Sequence, residues 1–123
     1  MSVWPTQPVA MQPELVLIDW SIHELNEDGE RSLVLVGYSL KNAEGRVSSE
    51  VVELDTSTLR ATTSSGRVYL LRGAPGINSD AEYVFSRYKR IYRLDGKTLD
   101  VTSHYYEQHL AQAQAGMSIT DAQ

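Results

Sequence analysis

Between Glu14 and Arg72, four clusters of turn-forming residues interrupt an alternation of apolar and polar positions, and their close spacing decides the architecture. The clusters are Asn26-Glu27-Asp28-Gly29, Asn42-Ala43-Glu44-Gly45, Asp55-Thr56-Ser57-Thr58 and Ser64-Ser65-Gly66. Short polar side chains bond the local backbone in such turns, and glycine accepts a positive φ. A parallel crossover needs about a dozen residues, so segments joined this tightly pair antiparallel with their sequence neighbours.

Five strands follow from that punctuation. In the first, Val16, Ile18, Trp20 and Ile22 alternate with Asp19, Ser21 and His23, while Leu15 and Leu17 imply cover on both sides at its start. The second runs from Arg31 to Leu40 with Val34, Val36, Tyr38 and Leu40 on one face. The third, Arg46 to Leu54, changes phase near Ser48-Ser49, as a bulge would make it do. Leu59 to Thr63 is the fourth and Arg67 to Arg72 the fifth. The expected fold is α+β: a five-stranded antiparallel meander that either curls toward an SH3-like barrel or stays open under a helix.

The chain supplies that helix. Gly73-Ala74-Pro75-Gly76 suits a tight turn and Asn78-Ser79-Asp80 a helix cap. Ala81, Val84, Phe85, Tyr88, Ile91 and Tyr92 then recur at helical spacing until Asp95-Gly96. Beyond Lys97, Thr98 to Val101 reads as extended, and Ser103 as the cap of a second, short helix through Ala115. The three prolines in residues 1–13 mark a flexible arm with Trp4 as its one anchor, residues 14–115 a single domain, and residues 116–123 a frayed tail.

Composition removes several function classes. With 123 residues the chain is one domain, and its 41% hydrophobic content is that of a globular protein. Having no cysteine, it has no disulfide, thiolate metal site or cysteine nucleophile. No apolar run reaches the length of a membrane span, and the first residues lack the parts of a signal peptide. A reduced, cytoplasmic protein without membrane partner or cofactor is the expectation.

No constellation reads as catalytic. His104 and His109 are five apart, which on a helix divides them between faces, and no carboxylate pair completes a metal site with them. Asp19, Ser21 and His23 share a strand face, but Asp19 and His23 would stand about 13 Å apart, too far to act through one imidazole. The glycines of Gly66–Gly76 match neither the P-loop nor the dinucleotide fingerprint, and turn chemistry accounts for them. The expectation is a chain that is not an enzyme.

Charge is more informative. The net value of −5 is divided unevenly: residues 1–60 hold ten acidic and four basic side chains, residues 61–123 six and seven. Glu24, Glu27, Asp28 and Glu30 form an acidic group suited to a basic protein target. Arg87, Lys89, Arg90 and Arg93 interleave with Tyr83, Phe85, Tyr88 and Tyr92, a pattern that can neutralise phosphates and stack bases. The same pattern arises when the aromatics face a core and the cations face water.

Ser65-Gly66-Arg67, Tyr69 and Leu71, then Gly73, Pro75 and Gly76, then Ala81 to Val84 lie within a stretch, Gly45 to Leu94, that resembles a group of short uncharacterised proteins from bacteria and their phages. The resemblance covers less than half the chain and implies a prokaryotic or phage setting, with no activity to carry over. The resulting expectation is an interaction protein acting on a protein partner, with an inhibitor of host defence of the anti-CRISPR kind as a particular case. A nucleic-acid accessory protein working through the basic helix is the alternative, and an exposed edge strand leaves a homodimer open.

Overall fold

A computed structural model describes residues 12–121, with side chains described through residue 115. The expected arm falls largely, and Trp4 wholly, outside the described residues. The elements are β1 (Glu14–Glu27), β2 (Glu30–Ser39), β3 (Glu44–Val47), β4 (Val51–Asp55), β5 (Arg60–Thr63), β6 (Val68–Leu71), α1 (Ser79–Ile91), β7 (Thr98–Asp100) and α2 (Thr102–Asp121). The class is α+β, but the sheet is open, mixed and seven-stranded rather than a five-stranded meander.

Along the sheet the order is β3-β2-β1-β6-β5-β4, with β7 added to β1. Consecutive neighbours pair antiparallel, as short turns require, whereas β1 and β6 pair parallel from Glu14–Val68 to Leu17–Leu71. The expected third strand breaks into β3 and β4, which bind different partners, β2 and β5. Ser48 makes the break: its amide donates to Leu35 O, while its own hydroxyl oxygen, in place of a carbonyl, accepts from Leu35 N at 2.9 Å.

The two end strands of this path are nonetheless consecutive in the chain. A flat sheet would hold β3 and β4 about 24 Å apart, five strand spacings. Four Cα steps from Val47 to Val51 cover at most about 15 Å, so the sheet must curl. Its ends form no ladder with each other, and the SH3-like closure is not made.

A bulge sets the phase of β1. Ile18 pairs with Tyr38 and Ser21 with Val36, so Asp19 and Trp20 together oppose Gly37, and Asp19 takes φ 46°. The core face is therefore Leu15, Leu17, Trp20 and Ile22, not the strict alternation expected from Val16 onward. A Cβ on Gly37 would lie 3.1 Å from Leu17 Cβ and 3.2 Å from Trp20 Cβ, so glycine fits where the bulge crowds the partner strand.

Two hydrophobic cores result, on opposite faces of β1 and β2. One gathers Leu15, Leu17, Trp20, Ile22, Leu35 and Tyr69, with Val101 and, from the start of α2, Tyr105 and Tyr106 packed against it. The other joins Leu25, Val34, Val36 and Val47 to Ala81, Val84, Phe85 and Leu94 around α1. β2 is thus buried on both faces, and Leu40, expected on its apolar face, is exposed.

The helices depart from expectation at their ends. Asn78 caps α1, its side chain accepting from Asp80 N and Ala81 N. Ile91 and Tyr92, expected in the apolar stripe, are exposed. The chain leaves α1 at Arg93, before Asp95-Gly96: Leu94 N donates to Lys89 O and Arg93 N to Arg90 O, with Arg93 at φ 55° and Leu94 buried. That is a Schellman end with arginine in the left-handed position. α2 starts at Thr102, whose amide donates to Asp100 Oδ1, so Asp100 and not Ser103 caps it, and it continues past Ala115.

Candidate functional site

The four acidic candidates gather at the β1–β2 hairpin end. Glu27 stands directly opposite Glu30, and Asp28 and Gly29 turn the chain between them at φ 53° and 88°. Gly29 N donates to Asn26 Oδ1, fixing the turn. Like charges directly opposite on a ladder destabilise it, and among the described residues none of these three carboxylates is in an ion pair. Glu24 lies farther in, opposite Leu33 on β2 and Leu99 on β7, with Arg31 Nε 3.9 Å away. Glu24, Asp28, Arg31, Lys97 and Leu99 line a concavity of about 470 Å³ beside the hairpin, where Leu99 is 61% exposed.

The basic candidates lie along α1 and at its C-terminal end. Arg87 and Arg90 lie exposed on the outer side of α1, and the Arg87 guanidinium sits 5.9 Å from the Tyr83 ring. Lys89 covers the Phe85 ring at 4.8 Å, on the flank nearer the core. Arg93 is the left-handed residue of the helix end. Lys89 and Arg90 occupy the last turn and Asp80 and Glu82 the first, the distribution that suits the helix dipole. Of the interleaved aromatics, Phe85 is buried and Tyr88 half-buried in the second core, whereas Tyr83 and Tyr92 are exposed. Burial, then the neighbouring Tyr92 and the charge of Glu27, push the Tyr88 phenol up.

A second site lies on β1 beyond the bulge. Ser21 and His23, two residues apart on one face, meet with Ser21 Oγ 2.9 Å from His23 Nε2. Asp19, the third member of the sequence pattern, is displaced from that spacing by the bulge. A nearby carboxylate comes instead from β7, where Asp100 is the backbone ladder partner of His23. Thr102 holds Asp100 through its amide and hydroxyl, and accepts from Ile22 N at 2.9 Å. The His23 ring packs on Phe85 with centroids 4.5 Å apart.

These groups open into a pocket of about 250 Å³ lined by Ser21, His23, Glu82, Asp100 and Thr102, with Pro75 and Ile77 among its apolar walls. Burial pushes the His23 imidazole below its ordinary value; Asp100 and Glu82 oppose that and Lys89 reinforces it. For Asp100, desolvation acts upward, but the Thr102 hydrogen bonds and the His23 charge outweigh it and hold the carboxyl low. The rim loop is held on the bulge, with Trp20 Nε1 donating to Gly73 O and Gly76 N to Trp20 O. Both glycines therefore serve the turn.

Sequence reasoning reached Ser21 and His23 but not Asp100, Glu82 or Thr102. Nothing in their spacing ties them to β1, because a three-residue strand brings two of them there. The other histidines take separate roles: His104 meets Gln108, His109 Nδ1 lies 2.7 Å from Thr56 O, and the described residues contain no cluster able to hold a metal ion. Among them, no helix is long and apolar enough to cross a membrane. Comparison with protein-family models, with curated proteins and with solved structures finds no match to this chain. Its class is therefore defined by its own geometry: an α+β protein with an open, curled, mixed sheet and two helices.

Proposed function

We propose that the protein works by binding a protein partner, presenting the acidic end of the β1–β2 hairpin to a basic surface. The observation that carries this reading is the Glu27–Glu30 pair with Asp28 between them. Three carboxylates packed into one exposed turn cost the hairpin stability, and a basic surface opposite them would relieve that repulsion. The neighbouring concavity adds the exposed apolar Leu99, with Lys97 and Arg31 at its edge to set orientation. Inhibition of a host-defence protein, in the manner of anti-CRISPR proteins, is one case of such binding.

The test is capture from host lysate, with and without nuclease, by the parent chain and by a Glu27→Lys/Asp28→Lys/Glu30→Lys variant. A stoichiometric partner that the parent retains, and that the variant binds at least about tenfold more weakly, is the expected result. Equal capture by both chains overturns the reading. A captured species that disappears with nuclease overturns it too, in favour of Arg87, Lys89, Arg90 and Arg93 as a nucleic-acid surface.

A further inference from the structure

We propose that Ser21 and His23 act as a nucleophile and its base, transferring the acyl group of a small, uncharged carboxylic ester in the pocket between β1, β7 and the 75–77 loop. This goes beyond partner binding and uses different residues on a different face. The carrying observation is geometric: the 2.9 Å contact places a hydroxyl and an imidazole nitrogen within proton-transfer reach, at the wall of a concave space.

Three features support it. The imidazole is packed on Phe85, and Asp100 is the backbone ladder partner of its residue. Burial keeps it unprotonated at neutral pH, the state a base must hold before reaction. Once it accepts a proton, the negative charge of nearby Asp100 stabilises the imidazolium through space.

The pocket also selects. At about 250 Å³ it falls below the range of roughly 300–1,000 Å³ typical of drug-sized ligands, so it suits a short acyl group. Glu82 and Asp100 in its walls repel phosphates and carboxylates, which leaves a neutral ester.

The chemistry balances without a co-reactant other than water. Ser21 Oγ attacks the carbonyl carbon and its proton passes to His23 Nε2. The imidazolium gives that proton to the departing alkoxide as the ester C–O bond breaks, and the acyl group remains on Ser21. Water then attacks the acyl-serine, losing a proton to His23. Breaking the bond to Oγ returns that proton to Ser21 and frees the carboxylic acid.

Two readouts test the assignment. The intact chain is treated with an alkyl fluorophosphonate and the adduct located by peptide mass spectrometry, alongside hydrolysis of p-nitrophenyl acetate. Expected is one adduct, on Ser21, absent in Ser21→Ala and slower by at least about a hundredfold in His23→Gln. Because the chain has no cysteine, Ser21→Cys supplies a single thiol in nearly the same volume. Its alkylation by iodoacetamide against pH is expected to have a midpoint below about 7.5, rising in the Ser21→Cys/His23→Gln chain. A fluorophosphonate that leaves Ser21 unmodified overturns the proposal. So does a thiol midpoint at or above about 8.5 in Ser21→Cys, a reading that needs no folded His23→Gln chain. The hairpin charge-reversal variant is expected to react like the parent, which separates failure here from failure of partner binding.

Discussion

Gly45 shows at the scale of one residue what holds α1 in place. Its backbone has no positive φ, so conformational freedom is not its role. A Cβ there would lie 2.5 Å from Asp80 C and O and from Ala81 N, backbone atoms of the first turn of α1. The helix rests on the β3 backbone with no room for a methyl group. Gly45→Ala is therefore expected to shift α1 outward and cost about 1–3 kcal/mol, read as a lower urea midpoint. Gly29 offers the contrast, since no atom lies within 4 Å of a Cβ there and its φ of 88° is the constraint. At Arg93 the backbone takes the left-handed position that ends the helix while the residue stays exposed.

At the scale of elements, the short β7 does more than its three residues suggest. It brings Asp100 to His23 and, through Thr102, starts α2 against the first core. The titration of that pair makes the junction sensitive to acid. The folded His23 holds its proton more weakly than the ordinary value of 6.5, so the unfolded chain binds more protons as pH falls below 6.5. Stability is then complete above about 6.5 and declines on acidification until the folded-state value is passed. Asp100 adds a second decline, beginning near its ordinary value of 3.8 and ending at its lower folded value. Thermal melting followed from pH 8 to pH 3 should show the first decline vanish in His23→Gln and the second shrink in Asp100→Asn. The remainder comes from carboxyls such as Asp55, which the Ser57 hydrogen bonds also hold low. Asp100, Glu82 and Lys89 all act on the imidazole, so the first decline should also steepen when Glu82 is replaced by Gln, which removes a charge that favours protonation.

At the scale of the whole molecule, β1 and β2 form the partition between two cores, and both helices dock on them from opposite faces. The outer part of α2 is less supported: residues 110–115 are exposed, and among the described residues the helix meets the body through Thr102, Tyr105, Tyr106, His109 and a hydrogen bond from Thr56 Oγ1 to Gln112 Oε1. Hydrogen exchange should therefore report the slowest amides in β1 and β2, near Ile22 and Leu35, and weaker protection in α2 over residues 110–115. Equal protection along α2 would mean that its outer half packs against something besides this fold.

The sequence by itself determined the local elements, because they depend on neighbouring residues. Turn clusters placed the hairpins, Asn78 announced the start of α1, and Ala81, Val84 and Phe85 marked its buried side. It also brought Ser21 and His23 to one strand face, since alternate residues point the same way. The tertiary structure decided what depends on distant contacts. The short-connection argument constrains only consecutive strands and leaves the pairing of the first with the last unaddressed; with five directions alternating from β1 to β6, those two run parallel when they meet. Gly37 and the bulge at Asp19 reversed the phase of β1, and both needed each other to be visible. Asp100 reached His23 because β7 pairs with β1 some 77 residues away in sequence, a contact set by the burial of Val101, Tyr105 and Tyr106 in the first core and not by any local propensity.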